Sequence, residues 1–88
     1  MSYRIEVKRY AAKALKKIPK PDQKRIAERL DRLAESPPNP ETTKMKGNNP
    51  FHKIRVGNYR IVYEIRDDVL VILVVKIGHR KDIYRNLP

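Results

Sequence analysis

Lys53, Arg55 and Arg60 place three cations within eight residues. Lys44 and Lys46 precede them, and His79, Arg80, Lys81 and Tyr84 follow near the chain end. Ammonium and guanidinium groups gathered on one surface serve to hold and stabilise negative charge. Arginine suits a phosphate in particular, because its planar fork donates two parallel hydrogen bonds. Lysine, imidazole and phenol are also groups that can move a proton in a reaction. The chemistry on offer is therefore anion binding, with charge stabilisation in a transition state as its catalytic form.

The whole composition points the same way. Lys and Arg number 21 against 10 Asp and Glu, a net charge of +11 over 88 residues. Self-repulsion on that scale is relieved by an anionic partner, nucleic acid first and an acidic protein second. There are no cysteines, which excludes disulfides and thiolate metal sites. Two histidines, His52 and His79, are too few for an all-protein metal cage, so no metal and no cofactor are expected. The N-terminal MSYRIEVKRY lacks an apolar signal region, and the longest apolar run, Val69 to Val75, is too short to span a bilayer. A single domain over residues 1–88, soluble and cytoplasmic, is the expectation.

The cations need a scaffold. Tyr3 to Val7 alternates apolar and polar residues and predicts a short strand. Ala11, Ala14, Leu15 and Ile18 then recur at helical spacing over Arg9 to Ile18, until Pro19 and Pro21 break the chain. Pro21 can open a second helix, whose apolar stripe is Ile26, Ala27, Leu30, Leu33 and Ala34. Ser36-Pro37-Pro38 ends it, and a turn-rich segment runs to about residue 50. Three strands follow: Phe51 to Val56, Tyr59 to Arg66, and Val69 to Ile77, with turns at Gly57-Asn58 and Asp67-Asp68. The fold class is α+β, in the order β-α-α-β-β-β. A helical hairpin packs on one face of a mainly antiparallel four-stranded sheet, and a short tail or helix ends the chain.

The hairpins fix a register. With Gly57-Asn58 as a two-residue turn, Arg55 faces Arg60, Ile54 faces Ile61 and Lys53 faces Val62. Paired residues share a sheet face, as do residues two apart, so Lys53, Arg55, Arg60 and Val62 lie together. Two arginines directly opposite one another weaken a sheet, and such a local conflict is expected where function overrides stability. With Asp67-Asp68 as a tight turn, Arg60 would face Val75 and Val62 would face Leu73, giving the cations an apolar flank of Val62, Val71, Leu73 and Val75. A last strand apolar on both faces is expected at the centre of its sheet. Its open face then needs a cover, from the tail or from a partner.

The stretch FHKIRVGNYRIVYEI, then VILVVKIGHRKDIY, resembles the C-terminal half of RelE-type toxins of the RelE/ParE superfamily. The shared pattern is a basic-x-basic strand, a Gly-containing turn, Tyr-Arg-aliphatic-Val-Tyr, a hydrophobic strand, Gly-x-Arg and a late Tyr. The first strand, the helical hairpin and the Lys-Met-Lys-Gly segment match as well. The resemblance implies a type II toxin, a ribosome-dependent and metal-independent messenger-RNA endoribonuclease held inactive by a cognate antitoxin. It implies Lys53, Arg55, Arg60, Arg80 and Tyr84 as catalytic residues, with Lys44, Lys46, His79 and Lys81 as RNA contacts. The 2′-hydroxyl would attack its own 3′-phosphate, and the cations would stabilise the charge that builds there. One departure is Arg55, where the family often has lysine. Arginine is a poor general base, which leaves that role among Lys53, Tyr84 and His79.

Two other readings fit the same composition. A ParE-like inhibitor of DNA gyrase would cut no RNA and would not need the strand cations. A plain nucleic-acid-binding module would spread its affinity evenly over many Lys and Arg. For the expected antitoxin, the charge and the apolar flank suggest an acidic, amphipathic segment wrapped over the open face. The ribosome and messenger RNA complete the expected partners.

Overall fold

The computed structural model describes residues 3–36, 44, 45, 47 and 50–79. The expected C-terminal tail or helix and most of the connecting segment lie outside them. Within them the order is β1 (Arg4–Val7), α1 (Arg9–Lys16), α2 (Lys20–Glu35), β2 (Phe51–Val56), β3 (Tyr59–Arg66) and β4 (Val71–His79). The strands form one sheet in the order β1-β4-β3-β2. β1 runs parallel to β4, and the other two pairings are antiparallel. β4 is central, as its two-sided apolar character predicts.

α1 stops at Lys16, two residues short of its apolar repeat, because Ile18 precedes Pro19 and is pushed out of helical conformation. α2 begins one residue before the expected Pro21. The Pro19 carbonyl accepts the amides of Asp22 and Gln23, and Pro21 sits in the first turn, where a missing N–H costs nothing. Gln23 then reaches back. Its Nε2 donates to the carbonyl of Ile18 at 2.7 Å and of Lys16 at 3.3 Å, satisfying acceptors that the end of α1 leaves open.

The helices cover one face of the sheet. Ala11, Ile18, Ile26, Leu30 and Leu33 bury against Ile54, Ile61, Tyr63, Ile72, Val74 and Ile77. Each fully buried aliphatic side chain contributes about 1.5–3 kcal/mol of hydrophobic stabilisation. His52 also lies on this side: it pairs with Tyr63, and its ring stacks on the phenol at 5.6 Å.

Both turns shape the other face. Gly57 takes φ +59°, the left-handed position that glycine fills without strain, and the β2–β3 register follows with Arg55 opposite Arg60 and Lys53 opposite Val62. The second turn departs from the expected two residues. β3 ends at Arg66 paired with Val71, so Asp67 to Leu70 form a four-residue loop. Leu70 adopts φ +53°, a left-handed conformation that costs a non-glycine residue about 1–2 kcal/mol. Two bonds to the start of β1 and the residue before it hold the loop there: the Leu70 carbonyl accepts the Arg4 amide at 2.8 Å, and Asp67 accepts the Tyr3 hydroxyl. Hairpin patterning alone could not see this tie from a distant strand.

Candidate active site

β2 and β3 deliver the expected cations to one surface. Lys53, Val62, Arg55 and Arg60 are two directly opposed pairs, two residues apart along each strand. Arg55 is exposed, and its Nε donates to the Gly57 carbonyl at 3.1 Å, which folds the side chain towards the turn. Arg60 differs. Its Nε is buried and has no hydrogen-bond partner among the described residues. A buried donor left unpaired costs about 1–3 kcal/mol, more when the group is charged, and an anion at that point would remove the cost.

The β4 side of the site corrects the expected register. Arg60 faces Gly78 rather than Val75, and Val62 faces Lys76 rather than Leu73. The longer turn shifts β4 by two residues, and an irregularity at Val62/Tyr63 shifts it by one more. Tyr63 pairs with Val74 while Val62 pairs with Lys76, so Val75 is an extra residue on β4. The apolar flank survives but lies further from Arg60. Val62 and Val75 form a buried cluster with Phe51, Leu73 and Met45 packed on it. Met45 is held there by its amide bond to the Phe51 carbonyl. On the open face the apolar cluster thus lies towards Phe51, beside the Glu64–Arg66 ion pair, while Arg55 and Arg60 lie at the Gly78 end.

The cover expected over this flank is largely in place. Val62 is fully buried and Val75 only 3% exposed within the chain itself, so neither waits for a partner's segment. Leu73 alone of the three stays partly open.

The remaining candidates divide. Lys44 is exposed and bridges to His52 at the outer side of β2. His79 pairs with Tyr59, and its ring meets the tyrosine edge-on at 6.0 Å. Tyr59 packs against the helix-side core, which puts the imidazole on that side and not with Arg60. The register shift is the cause, and the expectation that His79 joins the cationic face is corrected. Lys46, Arg80, Lys81 and Tyr84 lie outside the described residues. Lys76 was missed by the sequence reading. Only the bulge reveals it, because strict alternation would point it at the helices.

Lys53, Arg55 and Arg60, with the Arg60 Nε buried and unpaired among the described residues, can hold a phosphate group. The family model for the ParE toxin of the type II toxin–antitoxin system parDE matches residues 5–84. An Escherichia coli protein described as RelE-like is 32% identical over 96% of this chain and 92% of its own. The mRNA interferase toxin RelE of Escherichia coli K12 is 28% identical over 92% of this chain and 86% of its own. In the archaeal RelE–RelB complex from Pyrococcus horikoshii OT3, one chain superposes with a TM-score of 0.77 at 29% identity, covering 93% of this chain and 99% of that one. By fold, by family pattern and by near full-length similarity, the chain belongs to the RelE/ParE superfamily of type II toxin–antitoxin toxins, as a RelE-type member.

Proposed function

We propose that this toxin is an endoribonuclease that cleaves messenger RNA in the ribosomal A site without a metal ion. The observation that carries the reading is the buried Nε of Arg60, unpartnered among the described residues and set beside Arg55 and Lys53 on the face of the sheet away from the helices. In the reaction the ribose 2′-hydroxyl attacks the adjacent 3′-phosphorus. The bond to the 5′-oxygen breaks, leaving a 2′,3′-cyclic phosphate and a 5′-hydroxyl end. The nucleophile is tethered to its target, so the main task left to the protein is electrostatic. Arg60 and, from the tail, Arg80 take the charge on the phosphorane oxygens. Lys53 or Tyr84 takes the proton from the 2′-hydroxyl, and Arg55 anchors a neighbouring phosphate. The similarity to a named mRNA interferase supports the reaction class.

The proposed partners are the ribosome, messenger RNA and a cognate antitoxin. The antitoxin is supported by the fold shared with RelE chains in RelE–RelB complexes. The match to the ParE family model keeps a gyrase inhibitor as the second reading. Inducible expression with mapping of 5′-hydroxyl messenger ends decides between them. Codon-phased ends that Arg60→Ala abolishes are the expected result. Growth arrest with DNA breaks and intact messages would favour the gyrase reading.

A further inference from the structure

Beside Arg60 the open face carries a further cation that the family pattern did not bring forward. Lys76 is only 7% exposed, yet it belongs to the site's surface and not to the helix-side core. Val74 buries under the helices, Val75 joins the opposite cluster, and Ile77 returns to the helices. Without the extra residue, Lys76 would follow Val74 into the apolar core, and Ile77 would be turned out. Burying an ammonium there would cost several kcal/mol. The bulge instead sets Val75 and Lys76 together opposite Val62. Bulges commonly re-aim a side chain in this way beside active sites.

The pairings make a small grid. One row across β2, β3 and β4 reads Lys53, Val62, Lys76, and the next reads Arg55, Arg60, Gly78. Lys76 is the diagonal neighbour of Arg60, and diagonal neighbours lie about 7–8 Å apart, within joint reach of two long side chains. Gly78, directly beside Arg60, contributes no side chain to fill the corner between them. The register therefore sets a buried ammonium beside a guanidinium nitrogen that is buried and unpaired among the described residues.

We propose that Lys76 is the floor of the anion site and contacts the scissile phosphate together with Arg60. The inference rests on the nuclease reading and deepens it by adding a residue to the phosphate-binding set. It predicts that charge at position 76 is read by the RNA and not merely by the fold.

The test uses the full chain and a short single-stranded RNA bearing a 2′-O-methyl group at the cleavage position. Binding is followed over a series of KCl concentrations for wild type, Arg60→Ala, Lys76→Met and Lys76→Arg, with thermal melts of each. Loss of one phosphate contact lowers the salt slope by about 0.7. Lys76→Met should show that loss and, on programmed ribosomes with unmodified messenger, cleave at least about tenfold more slowly, and Lys76→Arg should regain the slope. A folded Lys76→Met with wild-type slope and rate overturns the proposal, as does a destabilised Lys76→Met whose slope is unchanged. Should Lys76→Met not fold, the ε-methylene signals of 13C-labelled lysines in the wild type decide. The Lys76 signal, assigned by Lys76→Arg, must move with RNA at the binding concentration, and a stationary signal overturns the proposal. If wild type neither binds this RNA nor cleaves messenger on programmed ribosomes, the nuclease reading falls with it. If Arg60→Ala weakens binding and Lys76→Met does not, only the role of Lys76 falls.

Discussion

Arg55 stands directly opposite Arg60 across the β2–β3 hairpin, two like charges at a position where an opposite pair would stabilise the sheet. The cost falls on the fold, about 0.2–1 kcal/mol for a cross-strand pair. Arg55→Glu should therefore raise stability by about 0.5 kcal/mol while reducing growth arrest on expression. Urea denaturation of the purified variant, set against its toxicity in cells, measures both. A variant that is less stable and fully toxic would mean that the pairing has no functional role.

Arg60 carries a larger conflict, since its Nε is buried with no acceptor among the described residues. Arg60→Met keeps much of the apolar stem and removes the orphaned donor. The expected result is a gain of about 1 kcal/mol in unfolding free energy. Cleavage should fall by about 10²–10³, the usual cost of removing one preorganised donor. Chemical denaturation and a cleavage time course on programmed ribosomes check the two halves separately.

The sequence disclosed most of the scaffold and half of the site. The helix stripes, the six-element order and the Gly57-Asn58 hairpin were all legible, because each is written in local periodicity or turn chemistry. Arg55 opposite Arg60 followed from that hairpin alone. The β4 half was not legible. Its register depends on a tie between Leu70 and Arg4 and on an extra residue at Val75, and neither leaves a local signal. The same two features moved His79 to the helix side and brought Lys76 to the cations. The apolar run through Val75 looked like simple alternation, and only packing on both faces reveals where the alternation slips.

The tie at the second turn has a pH signature. Asp67 accepts the Tyr3 hydroxyl, and this bond, with smaller contributions from burial and from the carboxylate's charge, raises the phenol above its ordinary value near 10. Folding then favours the protonated phenol. The contribution is fully present below about pH 10, the unfolded value, and is lost as pH rises through the folded value. Wild type should lose stability more steeply than Tyr3→Phe on going from neutral to strongly alkaline solution. Parallel urea midpoints across that range test it, and identical slopes would count against the tie.

Gln23 offers a local test of the helical hairpin. Its amide serves the Ile18 and Lys16 carbonyls at once, so Gln23→Ala should cost about 1 kcal/mol through exposed helix-end acceptors. Activity of the folded fraction should stay at the wild-type level, because the substitution lies on the covered side of the sheet. A thermal melt paired with the cleavage assay reads both.

The claim beneath the whole account is that the strand cations converge on one phosphodiester. The most direct measurement is a crystal structure of the chain with an RNA made uncleavable by a 2′-O-methyl group. The account predicts a backbone phosphate within hydrogen-bond distance of Arg60 Nε, with Lys53 and Arg80 on the same side of the sheet. RNA bound elsewhere with Arg60 Nε still unpaired, or Arg80 on the helix side, would contradict it.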